Sequence, residues 1–391
     1  MPLLFDPQLL QLDYRSRDGV TWPVNRDRAL RHAPETTYRV DRFRLEVSLS
    51  CDLQCDYCIV FMNKIAKPVR RMSLDTAKRI MEEFNETVGA AGDMVIIGGE
   101  PLLNWPVVEY FVAHCPGKVL LFTNLLAING DQLDFLKEHG TRILTSLDGY
   151  SREQNSYRFH STRKDELEIT VRNIREAARR GCDLGIACLV TDRNVGDLNA
   201  IADFFCDDIG CRSFSFAYSH YLLHGAKVGS YPFEDYISAI CSLFDHAKRK
   251  RFYVDQTGRI LRGILWKENC LVGCKAGTSQ RTFYPDGSET ICTKLDLIGK
   301  RDIREIATLF PQNNPACQDC IARQLCGGGC LWDSQTRPGP SGVDPRLCAS
   351  KRAFTEYILQ DIEKELDACP AAVLEEGRAL DYLSDIYAAL L

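Results

Sequence analysis

Three thiols fall within eight residues in the stretch "SLSCDLQCDYCIVFMNK": Cys51, Cys55 and Cys58. They follow "FRLEVSLS", an apolar, alternating run that reads as a strand. Three thiolates can hold three corners of a cubane 4Fe-4S cluster, leaving one iron without a protein ligand and open to a small molecule. A structural zinc completed by a distant His or Cys is the alternative reading of the same residues.

A second array lies downstream: Cys270, Cys274, Cys292, Cys317, Cys320, Cys326, Cys330 and Cys348. Its elements run "CLVGC", then "PDGSETIC", then "CQDCIARQLCGGGC", and last a single cysteine. Eight cysteines suit two four-cysteine sites, which could hold iron-sulfur clusters or zinc. The remaining seven of the 18, at 115, 182, 188, 206, 211, 241 and 369, sit in helix or strand patterns and read as small core residues.

These thiols need a frame. From about 44 to 218, short apolar runs such as "DMVIIGG", "KVLLFTN", "RILTSLDG" and "CDLGIACLVT" alternate with helical patterns such as "SLDTAKRIMEEFNETV". Six such units predict a parallel sheet covered by helices, either doubly wound or an incomplete (β/α) barrel. Its functional groups gather on the loops after the strands, where Cys51, Cys55 and Cys58 stand. The segments expected are residues 1-43 as an N-terminal extension, 44-255 as the barrel, 256-350 as a cysteine-rich module and 351-391 as a helical end.

Composition narrows the classes. Charged residues make up 26% of 391 residues and the net charge is −5, which gives no nucleic-acid footprint. "KRKR" at 248-251 reads as a solvated helix end. No apolar run approaches the roughly 18 residues of a membrane span, and the N-terminus lacks a signal peptide's basic start. A cytoplasmic protein without a membrane or nucleic-acid partner is expected, and in a reducing compartment clustered cysteine implies metal or catalysis.

With "CDLQCDYC" after the first strand and "GGEPLLNW" after the second, the chain resembles the radical S-adenosylmethionine (SAM) superfamily. The cysteine-rich module resembles that group's SPASM domain through Cys274, Cys292, Cys317, Cys320, Cys326, Cys330 and Cys348. The resemblance implies an α/β fold, a partial (β/α)6 TIM-type barrel followed by a SPASM auxiliary domain. It implies three 4Fe-4S clusters, one SAM-binding and two auxiliary, and S-adenosyl-L-methionine as co-substrate. Tyr57, Gly98, Gly99, Glu100, Thr123, Asn124, Ser146, Asp148, Arg158 and Leu189 would surround that molecule. Its amino group would lie at the GGE segment, its ribose near Ser146 and Asp148, its carboxylate near Arg158 and its adenine edge near Leu189.

By the same resemblance Cys270, Cys274, Cys292 and Cys330 would hold auxiliary cluster I, although the position of Cys270 varies in such domains. Cys317, Cys320, Cys326 and Cys348 would hold auxiliary cluster II. The reaction implied is reductive SAM cleavage to a 5′-deoxyadenosyl radical, fed by an external donor such as a flavodoxin or ferredoxin. The expected product is an intramolecular carbon-carbon or thioether crosslink in a precursor peptide made by ribosomes. Epimerisation or formylglycine-type oxidation is the runner-up, and a non-catalytic zinc or electron-transfer protein the rival of another class.

In the sulfatase-maturing branch of the family, an Asp that takes the substrate proton follows the cysteine that corresponds to Cys292; here that residue is Thr293. Tyr218, His220, Tyr221 and His224, after the sixth strand, are substrate-contact candidates. Residues 1-43 read as a cap over the barrel, while "TTYRVDRFRLEVSLS" could offer a strand edge to an extended leader. The run "IVFMNK" could line the cavity or begin the packing.

Overall fold

The computed structural model describes residues 3-16, 18-29, 39-58, 60, 70-158, 164-218, 228-270, 272-300, 302 and 309-391. The chain divides into two compact units that are not blocks of sequence: residues 38-232 with 275-303, and residues 1-37 with 233-274 and 304-391. The first is the barrel unit and the second the helical unit. The cysteine-rich segment is shared between them.

The barrel unit is built from six parallel strands: β1 (Arg42–Ser48), β2 (Asp93–Gly98), β3 (Lys118–Thr123), β4 (Arg142–Ser146), β5 (Leu184–Val190) and β6 (Ser213–Tyr218). They neighbour one another in chain order, each βα unit stepping to the next position in the same direction across the sheet. This is a partial (β/α)6 barrel. Its helices α1 (Leu74–Thr87), α2 (Trp105–His114), α3 (Gly130–Glu138), α4 (Glu166–Arg179) and α5 (Leu198–Asp203) follow the strands.

Local sequence explains the helices. Ser73 caps α1 by accepting from the Thr76 amide, and α1 buries Ala77, Ile80, Met81 and Phe84, one face at i, i+3, i+4 and i+7. Asn129 and Gln132 form a capping box at the start of α3. The Phe43 ring of β1 meets Phe84 edge-on at 5.2 Å, so Phe43, Leu45 and Val47 face the helices while Glu46 and Ser48 take the opposite face.

Two further strands join the sheet, and one expectation is corrected here. A strand, β7 (Gln280–Phe283), pairs in parallel with β1 on the side away from β2, and β8 (Glu289–Thr290) pairs antiparallel with β7. Four residues, "QRTF", are too short a signal beside the cysteines to have stood out. In consequence β1 is paired on both sides, and Arg42–Ser48 offers no free edge to a leader peptide.

The helical unit holds a small antiparallel sheet of Leu3–Asp6, Gln11–Arg15 and Thr21–Pro23, with α6 (Phe233–Lys250), α7 (Asp255–Trp266), α8 (Pro345–Asp367) and α9 (Ala379–Ile386). Asn25 ties sheet to helix, its amide donating to Leu10 O (3.0 Å) and Ile264 O (2.7 Å). α8 begins before residue 350 and carries Cys348 in its first turn.

The "KRKR" expectation also fails in part. Lys248 donates to Asp361 at 2.7 Å and Glu365 at 2.9 Å, and Tyr387 donates to the same Asp361 at 2.6 Å. Lys248 therefore stitches α6 to α8 while keeping some contact with water, and those bonds hold its ammonium above the ordinary range against the cost of burial. Of the seven cysteines read as core, Cys182, Cys188, Cys206 and Cys211 are buried, while Cys115, Cys241 and Cys369 are half-buried. Among the described residues no helix is long and apolar enough to cross a membrane.

Candidate active site and cysteine cavity

The loop after β1 carries Cys51, Cys55 and Cys58, all half-buried. It is held by the loop after β2. The Gly99 amide donates to Ser48 O at 2.6 Å and the Glu100 amide to Ser50 O at 2.8 Å. A Cβ on Gly98 would lie 2.0 Å from Ser48 O, and one on Gly99 2.5 Å from Ser50 O. The glycines are needed because the two loop backbones touch, a reason distinct from close approach to a ligand.

Glu100 is fully buried and points into the next strand end. Its carboxylate accepts from Thr123 Oγ1 (2.7 Å), the Asn124 amide (2.8 Å) and the Leu102 amide (3.0 Å). Burial still pushes its pKa up to about 7, against those three donors. Asn124 then extends the chain of contacts, donating to Asp52 Oδ1 at 2.7 Å inside the cysteine loop. Glu100, Thr123 and Asn124 thus brace the loop from behind.

On the far side of the loop, Tyr57 donates to Asp148 Oδ2 at 2.6 Å, and Arg158 lies 3.4 Å from the Tyr57 oxygen. Asp148 Oδ1 accepts from the Leu189 amide at 2.8 Å, and Cys55 Sγ lies 3.1 Å from Arg158 O. Asp148 and Arg158 are buried and Tyr57 is half-buried. Burial raises the pKa of Tyr57 and of Asp148, with Arg158 opposing both shifts, while Tyr57, Cys55 and Asp148 keep the Arg158 guanidinium firmly charged despite its burial. Burial likewise pushes the Cys51 and Cys55 thiols up to about 12. Ser146 is half-buried at the end of β4, paired with Ala187 of β5.

The strand ends therefore place Gly98, Gly99, Glu100, Thr123 and Asn124 on one flank of the three-thiol loop and Tyr57, Asp148, Arg158 and Leu189 on the other, with Ser146 at the end of β4, two residues before Asp148. They also recruit residues that sequence reading missed. Asp52 sits on the loop itself, Asn155 donates its amide to Gly149 O and accepts from the Asp148 amide, and Asn194 donates to both Asp148 O and Leu189 O at 2.8 Å. The "TDRN" turn, in which the Thr191 amide donates to Asn194 Oδ1 at 2.7 Å, was a readable signal for Asn194. Tyr218 is buried at the end of β6; His220, Tyr221, His224 and most of "IVFMNK" lie outside the described residues.

In the helical unit Cys317, Cys320, Cys326 and Cys348 line one small cavity of about 30 Å³, walled by Leu309, Val343 and Lys351 among others. These are the four cysteines assigned to auxiliary cluster II. The "GGG" between Cys326 and Cys330 has three successive left-handed glycines (φ 65°, 76° and 66°), which only glycine adopts in a row. The Cys270 amide donates to Gln324 O at 2.6 Å, and its sulfur packs against Gly327, so Cys270 adjoins this loop. Cys274 and Cys330 belong to the helical unit and Cys292 to the barrel unit. Among the described residues no three His, Cys, Asp or Glu converge as they would on a single metal ion.

Comparison with known proteins places this geometry. Residues 45–205 match the family model described as the radical SAM superfamily. The cysteine-type anaerobic sulfatase-maturating enzyme of Clostridium novyi (strain NT) is 24% identical over 357 residues, 79% of this chain and 92% of that protein. Among solved structures, native anSMEcpe with bound AdoMet and the Cp18Cys peptide superposes with a TM-score of 0.67 at 21% identity, covering 83% of this chain and 99% of the other. Streptococcus suis SuiB bound to precursor peptide SuiA gives a TM-score of 0.56 at 15% identity, covering 80% and 76%. At these identities the two structures show a shared fold.

Proposed function

We propose that this chain, a radical SAM enzyme by its family, acts on a peptide and installs an intramolecular carbon-carbon or thioether crosslink in a ribosomally made precursor. The observation that carries the reading is the three-thiol loop, braced on both flanks at one barrel mouth and offering three ligands where a closed cluster takes four. A peptide substrate is supported by the sulfatase-maturating relative and by the two peptide-bound structures of the same fold.

The donor set fits a 4Fe-4S cluster on Cys51, Cys55 and Cys58 with SAM at the open iron, and a further cluster on the four cysteines that share the cavity. When bound, the first cluster and SAM supply homolytic carbon-sulfur cleavage and a 5′-deoxyadenosyl radical. The chain's own residues orient and enclose. Gly98 and Gly99 present backbone amides and carbonyls at the loop, Ser146 and Asp148 stand at the ribose side, Arg158 offers a fixed cation for a carboxylate, and Leu189 provides an apolar edge. Cys270, Cys274, Cys292 and Cys330 are proposed for the remaining cluster, and an external flavodoxin or ferredoxin as the donor.

The sulfatase-maturating relative favours a second reading, formylglycine-type oxidation of a Cys-bearing peptide. Thr293 weighs against it, because no carboxylate follows Cys292 directly. Anaerobic reconstitution tests the proposal. About twelve irons per chain and 5′-deoxyadenosine formation are expected, and mass spectrometry of a co-expressed precursor peptide should show loss of two hydrogens with a new internal bond. Bound zinc with no SAM cleavage would exclude the enzyme, and an aldehyde at a Cys or Ser would select the second reading.

A further inference from the structure

The cavity of Cys317, Cys320, Cys326 and Cys348 carries one cation whose task the proposed function leaves unassigned. Lys351 lines it, three residues beyond Cys348 and so on the same face of α8. The wall's one other charged side chain among the described residues, Arg323, is occupied, as is Asp344 just before α8. Arg323 donates to Gln8 Oε1 (3.2 Å) and Gln312 O (3.4 Å), and Asp344 caps α8 while paired with Arg346 at 2.7 Å. Among the described residues no carboxylate pairs with the Lys351 ammonium.

Lys351 shares this wall with Cys317, Cys320, Cys326 and Cys348, so its ammonium stands beside the four thiols without being one of the ligands. A cluster bound by four thiolates is anionic, and reduction adds another negative charge inside a wall of Leu309, Val343 and Ala322. A nearby fixed cation stabilises that charge, and low-dielectric surroundings strengthen the effect.

We propose that Lys351 raises the reduction potential of the cluster held by Cys317, Cys320, Cys326 and Cys348. The inference rests on the iron-sulfur reading of the cavity. Lys351 is a tuning residue here, not a ligand.

The test is an electron-paramagnetic-resonance redox titration of the reconstituted chain with Cys51, Cys55 and Cys58 all changed to Ala, so that auxiliary signals are read alone. The signal lost, with about four irons, in a further Cys317→Ala/Cys320→Ala variant identifies the cavity's cluster. At fixed potential, Lys351→Met is expected to lower the reduced-to-oxidised ratio of that signal roughly tenfold, with Lys351→Arg keeping the parent ratio and both keeping the parent iron content. If Lys351→Met titrates like the parent, or if Lys351→Arg shifts equally, the inference is overturned. Iron loss in both Lys351→Met and Lys351→Gln would also overturn it, making the residue structural. If the double cysteine variant loses no iron, the cluster reading fails first, separately from Lys351.

Discussion

At the residue scale the site is a set of buried polar groups whose partners lie far along the chain. Glu100 shows what burial does to one of them. Its pKa stands at about 7 in the folded protein against 4.5 when exposed. Between these values the folded state holds more protons than the unfolded one, so stability is lost as pH rises through the window. Glu100→Gln should flatten this dependence. Urea unfolding of the iron-free chain on either side of the window should show the parent losing roughly 3 kcal/mol that the variant does not lose. Parallel slopes for both proteins would show that Glu100 titrates normally. Tyr57→Phe removes the 2.6 Å bond to Asp148 and leaves a buried carboxylate oxygen without its donor. A stability loss of about 1–3 kcal/mol and a weaker apparent affinity for SAM are expected, the latter read by equilibrium binding to the reconstituted protein.

At the element scale the critical contact is loop on loop. The turn after β2 is pressed so closely on the backbone after β1 that alanine has no room at Gly98 or Gly99. Gly98→Ala, with the shorter 2.0 Å approach, should destabilise more than Gly99→Ala. Losses of roughly 2–4 kcal/mol are expected, together with loss of about four irons while the auxiliary clusters remain. Thermal unfolding and iron analysis check the two effects, and full iron retention in Gly98→Ala would refute the bracing role. In the helical unit, Lys248→Met leaves Asp361 with Tyr387 alone and takes the ammonium from Glu365, and should cost about 2–3 kcal/mol, less than a fully buried pair because the lysine keeps some contact with water.

At the scale of the molecule, the proposed function divides the cysteine arrays by task. Changing Cys51, Cys55 and Cys58 to Ala should remove about four irons and all 5′-deoxyadenosine formation. Changing Cys317 and Cys320 should also remove about four irons, yet leave SAM cleavage measurable while peptide modification falls. Identical losses from both variants would mean that the arrays are not independent sites. The alternation of strand and helix from 44 to 218 was legible, since parallel strands covered by helices must be apolar nearly throughout. β7 was not legible, because four residues gain their strand identity only by lying beside β1.

The sequence by itself determined the βα order and the thiol spacing from which the ligand sets are proposed. Thiol spacing is a local property of a loop, and a helix face or buried strand declares itself by its own periodicity. Tertiary structure alone decided that Tyr57 donates to Asp148, 91 positions away, and that the two glycines serve a backbone-to-backbone contact. It alone placed Lys351 in the wall with four cysteines drawn from separate stretches of chain. Those facts depend on which distant groups are left together when water is expelled, and no local pattern encodes that selection.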